Sequence, residues 1–151
     1  YDDPSSLGSD RFCAMLGSMN HFPQRPILLM DIGSAMTFDI IDGTGFHQGG
    51  LIMPGLEALR KSFTKFETND LSVLDTYLAS DTENAWKNGT QAMLISSINN
   101  QIDRFQDKYT DGVVAICGGT VDEIRSQLPK SIQIFDNLVL DGLECYSQTV
   151  G

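Results

Sequence analysis

Three predicted β-strands follow one another between residues 27 and 54, and only short turns separate them. The run from Ile27 to Asp31 is almost wholly apolar, which is typical of a strand buried on both faces. The run from Met36 to Ile41 is rich in β-branched and aromatic residues, which favour strands. Asp42-Gly43-Thr44-Gly45 is a hairpin signal, and the third strand covers residues 46–54. Strands joined by turns this short pair antiparallel, so the fold must contain a three-stranded antiparallel unit.

Helices and strands alternate in the rest of the chain. Apolar residues at helical spacing predict a helix over residues 7–20, before the strands. After them we predict helices at 55–65, 82–109, 120–128 and 137–149, strands at 112–117 and 131–135, and a polar irregular segment at 67–81. The order after the first helix, β-β-β-α-α-β-α-β-α, predicts an α/β fold with a mixed sheet. It is the order of a ribonuclease-H-like half-domain, as in actin-like ATPases and sugar kinases.

The formal charge of the 151-residue chain is −10, with 20 acidic and 10 basic residues. Such a surface repels nucleic acid. No stretch of about 18 uncharged apolar residues occurs, so no membrane span is predicted. An anionic substrate would have to be bound by backbone amides, a few Arg or Lys, or a cation. Cys13, Cys117 and Cys145 are odd in number and far apart, which indicates buried free thiols in a reducing cytoplasm.

The segment from Asp31 to Asp39 is a candidate phosphate-binding hairpin. Gly33 would let the turn approach a ligand closely, and Ser34 offers an amide and a hydroxyl to a phosphate oxygen. Asp31 repels phosphate directly, so its role would be to hold a cation. An ordinary β-hairpin with Asp31 as a turn former is the alternative interpretation.

Two further glycine-containing segments could carry chemistry. Gly8-Ser9-Asp10-Arg11 begins the first helix, where Asp10 could act as general base for a hydroxyl and Arg11 could hold an anion. The alternative is that Asp10 is an ordinary acidic residue at a helix N-terminus. Gly118-Gly119 follows a buried strand, where the backbone could approach a nucleotide; a simple tight turn is the alternative.

Six segments taken together carry more information than any one of them. They are Gly8-Ser9-Asp10-Arg11, Asp31 to Asp39, Gly49 to Gly55, Thr82 to Ala85 with Gly89, Cys117-Gly118-Gly119 and Leu138 to Leu143. Their order and spacing resemble those of type III pantothenate kinases, including their Bvg accessory factor relatives. The resemblance extends from Tyr1 to about Leu143, and the Gly-x-Asp-Arg and Asp-x-Gly-Ser-Ala-x-Thr-x-Asp motifs are its most specific elements. It implies ATP-dependent phosphorylation of pantothenate, the first step of coenzyme A synthesis.

The resemblance also implies roles for individual residues on the substrate side. Asp10 matches the proton acceptor, and Gly8, Ser9 and Arg11 match the turn that binds pantothenate. Tyr1 stands where these enzymes carry an aromatic residue in contact with substrate. Thr82 matches a substrate-binding threonine that precedes a long helix.

On the nucleotide side, Asp31 matches the acid that binds a monovalent cation, K⁺ or NH₄⁺. Ser34 stands where the family usually has a threonine in contact with ATP, next to Gly33. Gly118 and Gly119 match the glycines beside adenosine. Thr120 stands where the family usually has an acid, so we assign no role to that position.

One element of the family pattern has no match in the sequence. Type III pantothenate kinases begin with an N-terminal half whose Asp-x-Gly-Asn turn binds the phosphates and helps to place Mg²⁺. We therefore expect residues 1–22 to link to such a half and residues 23–151 to form the C-terminal kinase domain. We expect this chain to be inactive alone, to need that half on the same or a separate chain, and to form a homodimer or heteromer. The start at Tyr1, without Met, suits this expectation.

Two other functions remain open from the sequence. One is a non-catalytic accessory or regulatory nucleotide-binding module of the same fold. The other is a different actin-like phosphotransferase, such as an acetate or sugar kinase, although the Gly-x-Asp-Arg helix start argues against it.

Overall fold

The computed structural model describes residues 3–150, so the substrate-contact prediction for Tyr1 lies outside the described residues. The elements in chain order are α1 (Ser9–His21), β1 (Ile27–Ile32), β2 (Ala35–Ile41), β3 (His47–Pro54), α2 (Leu56–Lys61), α3 (Thr82–Lys108), β4 (Val113–Cys117), α4 (Val121–Ile124), β5 (Gln133–Ile134) and α5 (Leu138–Val150). Short 3₁₀ turns occupy Pro4–Ser6 and Arg125–Gln127. Within residues 3–150, none of the helices has the length and apolar character needed to cross a membrane.

The five strands form one mixed sheet in the order β3-β2-β1-β4-β5. β1, β2 and β3 are antiparallel neighbours, as the short turns between them predict. β4 pairs in parallel with β1, and β5 in parallel with β4. A parallel return needs a long crossover, which α2, the 67–81 segment and α3 supply. The predicted element order is confirmed.

Helices cover both faces of the sheet. Leu28, Met30 and Ile32 of β1 point to one face and pack with α2 and α3. Ile27 and Leu29 point to the opposite face, where they pack with residues of α1 and α5. Successive strand residues alternate between faces, so a strand covered on both sides must be apolar throughout. This explains why β1 is apolar at every position except Asp31.

Helices α1 and α5 pack with their backbones in close contact, because each has a glycine at the crossing. A Cβ atom at Gly142 would lie 1.8 Å from the carbonyl oxygen of Cys13, and one at Gly17 would lie 2.3 Å from that of Leu138. His21 Nε2 also lies 2.8 Å from Asp141 Oδ2. These contacts hold the middle and the end of α1 against α5.

Some predicted elements are shorter than expected. The helix predicted at 55–65 ends at Lys61. The helix predicted at 120–128 is α4 followed by a 3₁₀ turn, and Leu128 is extended because a residue before proline disfavours the helical region. The strand predicted at 131–135 retains two residues as β5, at an edge of the sheet. Pro54 ends β3, and Gly55 is the N-cap of α2.

The α1–α5 contact gives a prediction for stability. The change Gly142→Ala should lower the free energy of unfolding by roughly 2 kcal/mol or more, because the helix backbones must separate. Gly89→Ala is the matched control, since a Cβ there meets nothing within 4 Å and alanine favours a helix by roughly 0.5–1 kcal/mol. Urea unfolding of the three proteins measures both changes. Equal midpoints for Gly142→Ala and the unmodified chain would contradict the packing described.

Candidate functional site

The side chains with candidate chemistry gather where β1 and β4 end. Asp31 of β1 is the register partner of Cys117, the last residue of β4. Burial, and then the nearby charge of Asp10, raise the pKa of the Asp31 carboxyl. Two carboxylates from separate elements therefore lie within electrostatic range of each other. Burial, with a contribution from Asp31, raises the pKa of Cys117 to about 12, so its thiol is not a nucleophile at neutral pH.

Gly118 makes the turn that borders Asp31. Its φ is +116°, and a Cβ atom there would lie 2.4 Å from the carbonyl oxygen of Ile32 and 2.6 Å from Asp31 Oδ1. The backbone N–H of Thr120 donates to the same Ile32 oxygen at 3.0 Å. The turn after β4 therefore lies directly against the end of β1, and only glycine fits at its first position. A Gly-Gly pair alone in a sequence does not reveal this contact.

A cavity of about 400 Å³ opens beside this turn. It is lined by Asp31, Cys117, Gly118 and Gly119 together with residues that include Arg125, Asp136 and Asn137. Its volume lies in the range of small-molecule sites in proteins. The predicted adenosine-side glycines are thus brought next to the predicted cation ligand.

The turn between β1 and β2 packs on the joint between β3 and α2. The backbone N–H of Gly33 donates to the carbonyl of Ala35 at 3.0 Å, and that of Gly55 donates to the carbonyl of Ser34 at 3.1 Å. A Cβ atom at Gly55 would lie 2.1 Å from the Gly33 carbonyl oxygen. The Ser34 side chain is exposed. The hairpin is therefore held from behind while Ser34 faces solvent, as a ligand contact requires.

The first turn of α1 supplies Ser9 and Asp10, both exposed, while Arg11 is directed into the protein. Arg11 Nε donates to Asp39 Oδ2 at 3.0 Å and Arg11 Nη2 to Asp39 Oδ1 at 2.6 Å. His47 Nε2 lies 2.8 Å from the same Oδ1. Sequence reasoning missed the roles of Asp39 and His47. The available signal was an acidic residue inside an otherwise apolar strand, which needs a buried partner.

Thr82 begins α3, after Asp81, whose side chain accepts a hydrogen bond from the Asn84 N–H at 2.9 Å. Thr82 is exposed. Among the described residues, no hydrogen bond or ion pair joins it to Asp10 or Asp31. The structure thus brings Asp10, Asp31, Gly33 and Gly118 to one end of the sheet but does not link Thr82 to them, and its substrate role stays a prediction.

The polar segment before Thr82 is tied to α2 and α3 by buried side chains. Arg60, which is completely buried, donates to the carbonyls of Asp70 and Ser72. The amide of Gln91 both donates to and accepts from the backbone of Leu74, at 2.9 Å each way. Lys87 Nζ lies 2.6 Å from Asp70 Oδ2. A segment with no regular structure is therefore ordered by side-chain hydrogen bonds to its backbone.

The donor set at Asp31 limits the cation it could hold. Within residues 3–150, no three His, Cys, Asp or Glu side chains cluster closely enough to bind a metal ion together. A cation here would take one carboxylate from Asp31 and complete its shell with backbone, water or ligand oxygens. Such a shell fits a hard cation, whose positive charge would stabilise the partly buried Asp31 carboxylate.

Known proteins match the chain along most of its length. The model of the type III pantothenate kinase family matches residues 1–104. The chain belongs to this family. The type III pantothenate kinase of Pseudoalteromonas translucida strain TAC 125 is 33% identical over 151 residues, covering 95% of this chain and 61% of the relative. That of Colwellia psychrerythraea strain 34H is 28% identical over 161 residues, covering 97% and 65%.

The chain spans less than two thirds of the length of these relatives and corresponds to a C-terminal portion of them. Among solved structures, a conserved Baf family protein from Campylobacter jejuni has a TM-score of 0.66 at 21% identity, covering 97% of this chain and 66% of that one. MreB5 of Spiroplasma citri bound to ADP has a TM-score of 0.54 at 13% identity, covering 95% and 60%. These likenesses confirm the actin-like ATPase fold.

The raised pKa of Asp31 predicts a pH-dependent effect of Asp31→Asn on stability. A carboxyl with a raised folded-state pKa contributes stability that is complete below its unfolded value of about 4 and is lost as pH rises through the folded value. Without an added cation, Asp31→Asn should therefore melt at a higher temperature than the unmodified chain near pH 7.5. The difference should shrink toward zero near pH 3.5. Thermal unfolding by circular dichroism across this range measures it, and a lower melting temperature near pH 7.5 would contradict the analysis.

The anchoring of residues 67–81 predicts a local effect of Arg60→Met. The change removes the donors that satisfy the Asp70 and Ser72 carbonyls, so amide hydrogen exchange in the segment should speed up at least about tenfold. Lys61→Met is the matched control, because Lys61 is exposed and pairs with Glu57 on the surface. Hydrogen exchange read by mass spectrometry separates the two. Equal exchange in both variants would show that Arg60 does not hold the segment.

Proposed function

We propose that the complete protein uses ATP to phosphorylate pantothenate to 4'-phosphopantothenate, the first step of coenzyme A biosynthesis. One geometric observation carries the proposal: the turn at Gly118 lies directly against Asp31, and Asp31, Gly118 and Gly119 line one cavity of about 400 Å³. The charge of Asp10 contributes to the raised pKa of Asp31. Membership of the type III pantothenate kinase family supports the proposal.

In this proposal Asp10 accepts the proton of the reacting pantothenate hydroxyl. The oxygen that attacks the γ-phosphorus must lose its proton during transfer, and a positioned carboxylate can accept it. The Asp10 side chain is exposed at the start of α1, so a substrate can reach it. Its contact with Ser9 Oγ is long, at 3.5 Å, and leaves the carboxylate available to substrate.

Asp31 would hold K⁺ or NH₄⁺ beside the nucleotide, with Gly33 and Ser34 at the phosphates and Gly118 and Gly119 at adenosine. When bound, the cation supplies positive charge that stabilises the phosphate oxygens during transfer. Mg²⁺, which the transfer also requires, would be placed with the help of a phosphate-binding turn outside this chain. This chain would contact one side of the nucleotide and would supply the general base, Asp10.

Pantothenate would be bound by Gly8, Ser9, Arg11 and Thr82, with Tyr1 as an aromatic contact. Arg11 already forms an ion pair with Asp39, so the substrate carboxylate would meet a guanidinium whose charge is partly balanced.

The proposed activity needs a partner for this chain, either the N-terminal half of the enzyme or a second subunit. Support comes from β3, an edge strand that is exposed over most of its length and presents Leu51 and Ile52, which are 43% and 66% exposed. Exposed apolar side chains on a long edge strand are typical of a surface covered by another polypeptide. The unpaired thiols of Cys13, Cys117 and Cys145 support a reducing, cytoplasmic setting.

The test is ATP- and K⁺-dependent formation of phosphopantothenate by this chain assembled with its N-terminal half. Asp10→Asn should lower kcat by about 10²–10⁴-fold, the usual contribution of a general base. Asp103→Asn, a carboxylate exposed on α3, should leave kcat unchanged. Replacing KCl with choline chloride at equal ionic strength should also lower the rate.

Two results would overturn parts of the proposal. If the assembled protein binds ATP and makes no phosphopantothenate, the chain belongs to a non-catalytic nucleotide-binding module. If this chain alone turns over at the rate of the assembled protein, the need for an N-terminal half is wrong.

A further inference from the structure

Asp39 is a buried carboxylate to which two other elements donate. Its side chain is 1% exposed, and it lies on β2 between Leu29 of β1 and Gly50 of β3. Arg11 of α1 donates to both of its oxygens, and His47 of β3 contacts one of them. The bidentate contact between a planar guanidinium and a carboxylate fixes orientation as well as distance. Asp39 therefore defines where the first turn of α1 lies on the sheet.

The start of α1 needs such a contact. Its N-cap residue is Gly8, which has no side chain to accept from the first N–H groups. The glycine contacts with α5 lie farther along α1, at Cys13 and Gly17. The position of Asp10, one residue before Arg11, thus depends on the Arg11–Asp39 pair.

Strand β3 has a glycine, Gly50, at the point where it passes the Arg11–Asp39 ion pair. A Cβ atom at Gly50 would lie 2.4 Å from Asp39 Oδ1 and 2.9 Å from Arg11 Nη2. It would also lie 2.4 Å from the Phe38 carbonyl oxygen, so Gly50 has no space for a side chain. A glycine inside a strand often marks such a close approach. The glycine in the centre of β3 thus allows the strand to pass close to the ion pair between Arg11 and Asp39.

We propose that Asp39 is a positioning residue for phosphoryl transfer: through Arg11 it fixes the first turn of α1, and so holds the Asp10 carboxylate in place relative to Asp31. This inference rests on the proposed function, in which Asp10 is the base. Phosphoryl transfer depends on placement, and a misplacement of about 1 Å can lower a rate about 10²-fold. The pair is not explained by stability alone, since buried ion pairs are often no more stable than apolar residues of equal volume.

The test combines a structural readout on this chain with kinetics on the assembled enzyme. In Asp39→Asn, the Arg11 Nε–H, followed by nitrogen-15 NMR, should exchange with water at least about tenfold faster than in the unmodified chain. In the assembled enzyme the same change should lower kcat about 10- to 100-fold, with KM for ATP within about twofold. Ile98→Val, a core change on the opposite face of the sheet, should lower stability without changing kcat.

A second variant covers the case in which Asp39→Asn does not fold. Gly50→Ala keeps all three polar side chains but displaces the pair, so it should lower kcat in the same direction, whereas Ile98→Val should not. The inference would be overturned if the Arg11 Nε–H of Asp39→Asn still exchanged slowly with water and kcat were unchanged. If Asp39→Asn does not fold, an unchanged kcat in Gly50→Ala would overturn it. If the unmodified assembled enzyme makes no phosphopantothenate, the proposed function fails. The NMR comparison then still decides whether Asp39 holds Arg11.

Discussion

Strand β1 is hydrogen-bonded on both edges and packed on both faces, and the rest of the structure is arranged around it. β2 pairs with it antiparallel and β4 in parallel. Its backbone groups are thereby satisfied by other strands, as buried backbone must be. Near its C-terminal end Asp31 is only partly buried, whereas the last residue, Ile32, stays in the core on the opposite face. The candidate site therefore lies at the end of the central strand, on the face that carries Asp31.

Close backbone contacts then bring the other parts of the site to this point. Gly118 lets the turn after β4 lie against Ile32 and Asp31, and Gly55 lets the joint before α2 lie against Gly33 and Ser34. In both places a side chain would separate two segments that must touch. These glycines leave the space that allows the segments of the site to lie in contact.

Buried polar side chains also fix parts of the chain relative to one another. Arg60 and Gln91 hydrogen-bond to the backbone of the 67–81 segment, and Asp39 receives Arg11 and His47. Each of these side chains would be costly to bury without a partner. Since each has specific partners, it fixes one arrangement of the chain in a way that apolar packing alone does not. Thr82 directly follows the 67–81 segment that Arg60 and Gln91 hold, and Asp10 directly precedes Arg11, which pairs with Asp39.

The order and type of the strands and helices, and the family, could be predicted from local patterns in the amino-acid sequence. Residues such as Asp10, Asp31 and Gly118 could be selected because periodicity, composition and motif spacing are local properties of a chain. Three features became visible only in the folded chain. Asp39 pairs with Arg11 and His47, and Gly118 borders Asp31. The polar segment before Thr82 is ordered. The reason is that strand register and helix crossing decide which distant polar groups meet. Those depend on packing between elements that no local pattern in the sequence records.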